Sequence, residues 1–291
     1  MTGRNPEQGV VLVTILSVMA LCVTMIVAMT IRSEQATIAT SLDLDQIRAQ
    51  NLVTSAETVA LVALQQDLLS APQADGPSEP WARIDQSQAA LSLGFVDILL
   101  QDESARFNLN TLLNGSPTAR HYLKAIVAAA GLPPEVSVRV SAALRGDRPL
   151  QQTSDLIARA GLSEAEIAAL SPLVTCTPDR FSTVNINSAS GPLLLAMFQN
   201  PDRAAHILFR RQTDLITPAV LREMGVILSA GLSLRSDTFG LTVVAASGRT
   251  RVQTYSLIQR WIGNDRTIHA TVSGRKRSSV SVAKVLIFAQ K

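Results

Sequence analysis

Residues 10–31 read VVLVTILSVMALCVTMIVAMTI, twenty-two positions with no charge, no proline and no glycine. About twenty apolar residues at ~1.5 Å rise cover the ~30 Å hydrocarbon core of a bilayer, so this stretch predicts a transmembrane helix. The helical signal does not stop at the membrane. Pro72 is the first proline after Pro6 and Gly76 the first glycine after Gly9, which leaves 62 residues without a helix breaker. One helix of that length is roughly 90 Å long. Its first third lies in lipid. Residues 32–71 stand in water and need something to cover their apolar positions.

The segment ahead of it, MTGRNPEQG at 1–9, is short and polar. A secretory signal peptide would have a basic start, an apolar run of roughly 7–15 residues and a small-x-small cleavage site. The run here is too long, and Thr30-Ile31-Arg32 offers no such site. Gly9 directly before the apolar run resembles the class III leaders of type IV pilins and pseudopilins, which prepilin peptidase trims on the cytoplasmic side. That resemblance implies cleavage after Gly9, with Val10 as the new N-terminus and Thr14 at the fifth mature position. Such proteins usually carry a glutamate there, paired with a neighbouring subunit's amino terminus. A carboxylate in lipid is costly and is kept for a purpose. Threonine at that position suits a subunit with no neighbour ahead of it.

Further stretches extend the resemblance. SEPWARI at 78–84, DESARFNLNTLL at 102–113, LSPLVTCTP at 170–178 with TVNINSAS at 183–190, and SLRSDTFGLTV at 233–243 follow in order. Together they resemble the K-type minor pseudopilins of type II secretion, the GspK family, over most of the chain. The resemblance implies an α+β, type IV pilin-like fold: a long N-terminal helix packed on a small antiparallel sheet, interrupted by a large all-α insert. It implies a subunit at the tip of the secretion pseudopilus that works by assembly and is not an enzyme. The partners it implies are the I- and J-type minor pseudopilins, the major pseudopilin, prepilin peptidase and the inner membrane. Contact with secreted substrate proteins is left open. The location implied is the bacterial inner membrane, with one span and the bulk of the chain periplasmic.

The residues read on their own support this plan. The boxes Asn108-Leu-Asn110-Thr111 and Asn185-Ile-Asn187-Ser188 precede apolar runs at helical spacing. Asn, Ser and Thr accept hydrogen bonds from the free N–H groups of a first helical turn, so both boxes read as helix-capping and turn devices. They lie 77 residues apart and read as a weak internal repeat, two small helical units each opened by asparagine. Helices are expected over His121–Ala130, Pro134–Leu144, Thr153–Ala160 and Ser163–Leu170, the last with the capping box Ser163-x-x-Glu166. Two more follow, one ending near Arg211 and one over Thr217–Met224. Strands are expected near Ala89–Leu100 and over Gly240–Ala245, Arg251–Ile258 and Ser278–Ile287, with Arg275-Lys276-Arg277 in a hairpin turn. The chain then divides into a leader (1–9), a span (10–31), an aqueous helix (32–71), a first part of the sheet (72–105), a helical insert (106–230) and closing strands (231–291).

Charge is unevenly spread. From Val10 to Ala105 there are eleven acidic and three basic residues; from Arg249 to Lys291 there are nine basic and one acidic. A basic tail alone would suggest nucleic acid or lipid headgroups. In a pilin-like fold the two segments meet, so mutual neutralisation is expected, with 275–277 still able to meet an acidic partner. Ile47, Leu52, Val59 and Val62 form an apolar stripe on the aqueous helix that is expected to face partner subunits.

Catalytic and metal motifs are missing. The sequence has no C-x-x-C, H-E-x-x-H, G-x-S-x-G, P-loop or G-x-G-x-x-G, and His121, His206 and His269 are isolated. Cys22 in the span and Cys176 in the head cannot bridge within one subunit. Some relatives join the two asparagine-box regions by a disulfide, but Arg106 occupies the first such position, so none is expected. GspK relatives also carry a long acidic, calcium-associated loop before the second box. Here the corresponding stretch Ala143–Pro149 offers the single carboxylate Asp147 between arginines, whereas calcium takes six to eight oxygens. That leaves the calcium site in doubt, and neither cofactor nor metal is expected. The alternative reading is a membrane-tethered helix-hairpin-helix DNA-binding protein. It is weakened because Met197–Arg203 lacks the glycine-rich turn whose N–H groups grip phosphate.

Overall fold

The computed structural model describes residues 6–91, 94–198 and 200–278. Helix α1, Pro6–Ser70, is a single element of 65 residues, about 98 Å long at ~1.5 Å per residue. It ends where the breaker-free stretch ends. Residues 11–44 are exposed all round. From there one face sinks into the head: Ala49, Leu52, Val53, Ala56, Ala60, Leu64 and Leu68 are buried. Three alanines on that face let a sheet come close.

A loop carries the chain past Trp81, on a 3₁₀ turn over Pro80–Arg83, into β1 (Asp85–Leu91) and β2 (Gly94–Asp102). The insert follows: β3 (Phe107–Asn108), α2 (Pro117–Ala129), α3 (Glu135–Ala143), α4 (Asp155–Ala160), α5 (Glu164–Leu170), β4 (Val174–Thr175), β5 (Val184–Asn185), α6 (Gly191–Met197), α7 (Pro201–Arg210), α8 (Pro218–Glu223) and β6 (Leu232–Ser233). Three strands close the chain: β7 (Thr238–Ser247), β8 (Thr250–Ile262) and β9 (Ile268–Ser278). The main sheet is antiparallel in the order β1-β2-β7-β8-β9. The insert leaves β2 and returns at β7, its neighbour, where Asp102 faces Phe239. This is the pilin-like fold with a helical insert.

There are two cores. α1 and the sheet share one, in which Trp81 meets Phe239 edge-on at 5.0 Å between ring centroids. The insert has its own, built from Leu109, Leu123, Ile126, Leu170, Ile186, Leu193 and neighbours.

The structure departs from the sequence expectations in four places. The single strand near Ala89–Leu100 is a hairpin of β1 and β2. Gly94 begins the second strand at φ +147°, and a Cβ there would lie 2.0 Å from the Ala246 carbonyl oxygen, so only glycine fits. The helix expected to end near Arg211 is two helices, because Phe198 turns extended and Pro201 opens a new one. Arg275-Lys276-Arg277 is not a turn: it lies in β9, paired with Ser256, Tyr255 and Thr254. The turn comes earlier, where Arg266 takes φ +65°. The strand expected over Ser278–Ile287 falls, beyond Ser278, outside the described residues. Leu52, finally, faces the sheet and is 3 % exposed, while Ile47, Val59 and Val62 point outward.

The charge asymmetry resolves into contacts. Glu57, buried on α1, accepts from Arg275 Nε (2.8 Å), Arg275 Nη2 (2.7 Å) and Ser256 Oγ (2.5 Å). Burial alone would raise its pKa, but Arg275 and Ser256 outweigh it and hold the carboxyl below its usual range. Asp45 accepts from the Arg249 backbone N–H at the β7–β8 turn. Deepest of all, Arg260 on β8 is wholly buried. Its Nη1 donates to Asp67 Oδ2 (2.8 Å) and the Leu64 carbonyl (3.0 Å), its Nε to the Ser236 carbonyl (3.0 Å), and its Nη2 to Asp75. Burial opposes its charge, yet the two aspartates more than offset this and hold its pKa above normal.

Arg260→Ala would leave Asp67 and Asp75 buried without their cation, and should cost about 3–5 kcal/mol. Glu57→Gln, which keeps an acceptor for a half-exposed arginine, should cost much less. Thermal unfolding of the detergent-solubilised chain by circular dichroism checks this. Equal midpoints for Arg260→Ala and wild type would show that the buried cation does not hold the head to the helix.

Candidate functional site

Two surfaces of α1 are exposed and uncharged over long stretches. In the span every described side chain is exposed, and its hydroxyls are turned on their own helix: Thr14 Oγ1 donates to the Val11 carbonyl (2.8 Å), Ser17 to Val13 (2.8 Å), Thr24 to Leu21 (2.8 Å) and Thr30 to Ile26 (2.9 Å). Back-bonding of this kind removes the penalty of a hydroxyl in lipid and leaves an apolar exterior. Gly9 and Val10 lie within α1, so the expected cleavage point is helical here; residues 1–5 of the leader lie outside the described residues. Above the membrane, Leu44, Ile47, Val59, Val62 and Leu69 stay exposed on the side away from the sheet. From Asn51 to Leu69 the residues between them on that side, such as Asn51, Ser55, Thr58 and Gln66, are uncharged. A water-facing helix side with apolar residues and no charge suits burial against another helix.

The asparagine boxes organise the insert rather than a reaction. Asn108 Oδ1 accepts from the N–H groups of Asn110 (3.1 Å) and Thr177 (3.1 Å), capping the 3₁₀ turn that follows. Asn185 Oδ1 accepts from Asn187 N–H (2.9 Å) in the same way. The second asparagine of each box reaches much farther. Asn110 grips both backbone groups of Leu150, accepting at 2.8 Å and donating at 2.9 Å, and Asn187 grips both of Ile216 at 2.9 and 3.0 Å. Each box also pairs in parallel with a two-residue strand closing its unit, β3 with β4 and β5 with β6. The 77-residue repeat is thus physical: box, helix pair, clamp, then two short helices in the first unit and one in the second, and a closing strand. The α-helices themselves are capped by other residues, such as Ser116, Ser163, Asn200 and Thr217.

The second box ties the insert to the pilin part. Asn185 Nδ2 donates to the Asp75 carbonyl (3.0 Å) and Ser236 Oγ (2.7 Å), while Asp75 Oδ2 accepts from Ser236 N–H (2.7 Å). Sequence reasoning missed Asp75, Asp67 and Arg260 because their partners lie 185 and 193 residues apart. Asp67, Asp75 and Glu79 bring carboxylate oxygens within 4.8 Å of one another, and the Arg260 guanidinium bonds the two aspartates as their counter-ion. Asp147, the one acid of the 143–149 loop, is paired with Arg180 at 2.5 Å. Cys176 is half-buried, and desolvation pushes its thiol up to about 12. His121, His206 and His269 sit on α2, α7 and β9. Between α6 and α7, Asn200 Oδ1 takes the N–H groups of Asp202 (2.9 Å) and Arg203 (3.2 Å), the amides a phosphate would need.

The architecture is a pilin-like helix and sheet carrying a two-unit helical insert, with one N-terminal helix long and apolar enough to cross a membrane. In solved structures the same fold occurs in a crystal structure of the GspK–GspI–GspJ complex of the type 2 secretion system of enterotoxigenic Escherichia coli, with a TM-score of 0.65, 20 % identity and coverage of 83 % of this chain and 99 % of that one. In sequence the chain is similar to the type II secretion system protein K of Klebsiella pneumoniae, 25 % identical over 88 % of this chain and 94 % of that protein. It is also 25 % identical to the protein of the same name from Pseudomonas aeruginosa, over 72 % and 73 %. The chain matches no protein-family model. The resemblance to K-type minor pseudopilins is therefore carried by nearly the whole chain.

Two measurements test the junction. Asn187→Ala strands the buried amide and carbonyl of Ile216 and should destabilise the chain by about 2–4 kcal/mol, with Asn110→Ala acting alike on Leu150. Asp102, at the end of β2, bonds Ser104 N–H (2.8 Å) and Ser236 Oγ (2.6 Å), yet burial pushes its carboxyl up to about 6. A folded-state value above the ordinary one means the folded chain holds the proton more tightly. Its contribution is therefore largest below about pH 4 and is lost as pH rises through 6, by at most on the order of 3 kcal/mol. Asp102→Asn should flatten the fall in unfolding midpoint between pH 5 and 7.5; an unchanged slope would assign the pH dependence to other groups.

Proposed function

We propose that this chain is a minor pseudopilin of type II secretion that occupies the tip of the pseudopilus. It works as a structural component, in assembly with I- and J-type minor pseudopilins and the major pseudopilin, anchored in the bacterial inner membrane with its head in the periplasm. The observation that carries the reading is where the insert is mounted. The β7–β8 turn lies at Asp45, the membrane-proximal limit of the head, and β2 and β7 exchange the insert at the other end, beside Leu64, Asp67 and Asp75. More than a hundred residues therefore stand over the membrane-distal end of α1. A subunit ahead in a filament of parallel α1 helices would need that space.

Thr14 supports the same place. With no carboxylate at the fifth mature position, the span offers nothing to attract the amino terminus of a subunit ahead. The uncharged outer side of α1, by contrast, suits lateral packing with neighbours. Cleavage after Gly9 belongs to this reading, since a pilin-type subunit enters the filament with its span intact.

The test is in cells secreting a reporter exoprotein. Gly9→Val should block trimming, seen as an intact mass that retains all nine leader residues, MTGRNPEQ and the substituted ninth residue. Thr14→Glu should bring no gain in secretion, since a lone carboxylate in the bilayer costs on the order of 3 kcal/mol on insertion scales. Cross-linking from Val62 should capture the I- or J-type subunit. Improved incorporation of the glutamate variant into the shaft would sink the tip assignment, and a mature chain beginning near Ser33 would sink the pilin-type processing.

A further inference from the structure

Where the insert meets the distal end of the sheet there is a cleft of about 500 Å³, walled by Asp179 from the insert, Arg235 and Asp237 from the returning linker, and Gln259, Trp261 and Ile262 from β8. That is within the usual range of small-molecule sites. Nothing in the assembly reading uses it. Its wall has three properties that a merely solvated groove does not need.

First, it holds an unsatisfied donor. Arg235 Nε is buried with no hydrogen-bond partner, and the half-buried Gln259 side chain lines the same cleft. The Asp237 carboxylate, half-exposed, stands 3.6 Å from Arg235. Buried polar groups are nearly always paired, so an orphan invites a missing partner. Second, it has an aromatic platform. One face of the Trp261 indole lies on His269, stacked at 5.1 Å and 19°, and the residue is still 44 % exposed. The stacking covers one face of the ring, and Trp261 also lines the cleft. Third, its polar groups are planar and of both kinds: carboxylates that accept, a guanidinium that donates, an amide that does both.

Charge argues against a simple ion. Two aspartates face one available arginine, because Arg260 in the floor is already committed to Asp67 and Asp75. An anion would meet carboxylates and a metal would meet a guanidinium. A neutral ligand with alternating donors and acceptors around one apolar face meets neither problem. Pyranose rings have that form: axial C–H groups on one face, and vicinal hydroxyls spaced for bidentate bonding to planar side chains.

We propose that this cleft binds an oligosaccharide, with one ring laid against Trp261 and its hydroxyls bonded to Asp237, Gln259 and Arg235. The site faces away from the membrane and does not depend on the tip reading.

The chain supplies its own reporter, since Trp81 is 3 % exposed in the core and Trp261 is the second of the two tryptophans. Full-length chain in detergent should be titrated with chitotriose, with maltotriose and with an uncharged tripeptide of similar size. The expected result is a saturable change in tryptophan emission with at least one saccharide, half-complete at about 1 mM or below. Asp237→Asn and Gln259→Ala should each weaken it by about tenfold without moving the unfolding midpoint. For Trp261→Ala, calorimetry should detect no binding. Absence of a saturable response to both saccharides at tens of millimolar would overturn the proposal. So would a tripeptide response of equal strength, or a saccharide response unchanged in the Asp237 and Gln259 variants.

Discussion

The buried guanidinium of Arg260 is the contact on which the rest of the arrangement depends. Four parts of the chain converge on it: the end of α1 at Leu64 and Asp67, the loop at Asp75, the linker at Ser236 and β8 itself. A buried ion pair is seldom a net gain over well-packed apolar residues of the same volume, because taking charges out of water is expensive. Its use is geometric. Arg260 can satisfy its donors only if the helix end, the loop and the linker each bring an oxygen to a fixed place. The angle between the long helix and everything above it is set by that requirement.

The insert shows the same logic with neutral groups. Its helices are short, from 6 to 13 residues, below the length at which an isolated helix holds together in water. Their packing needs long-range anchors. Asn110 and Asn187 supply them, each treating a distant backbone unit as the next residue of a ladder, and the parallel pairs β3–β4 and β5–β6 close each unit. Asn185 then binds the Asp75 carbonyl, whose side chain binds Arg260. One continuous set of buried polar contacts runs from the insert through Asp75 to α1.

Much of this was legible in the sequence, and the failures have physical causes. The long helix could be read because its evidence is local: no proline or glycine across the run and an unbroken apolar stretch. β7 and β8 alternate and are β-branched, so they too announce themselves. β9 does not, since an edge strand with one wet face carries charges and Gly274 that look like a turn. Leu52 was placed outward because the apolar positions of α1 wind round the helix, and only the sheet decides which are covered. The asparagines were recognised as polar devices, but a clamp on Leu150 or Ile216 is set by tertiary approach and leaves no trace in spacing. Arg260 was one of nine basic residues in the tail, and nothing local distinguishes the one that will be buried.

The helix has to satisfy three environments along one axis, and its sequence divides the work. Residues 11–31 are apolar all round, as lipid on every side requires. Residues 32–44 mix small, polar and apolar side chains with no cover from the head. From Ala49 onward the inner side is closed by the sheet and the outer side stays uncharged. A soluble protein would put charges on that outer side, where they are favourable and cheap. Their absence over the stretch from Asn51 to Leu69 makes sense if the surface is to be desolvated by another helix, since a charge buried there would need a partner of its own. The two charges the chain does place on this stretch, Glu57 and Asp67, are both turned inward and neutralised, by Arg275 of β9 and Arg260 of β8. What remains exposed on α1 is a side that asks only for close packing, which is what the proposed lateral assembly would use.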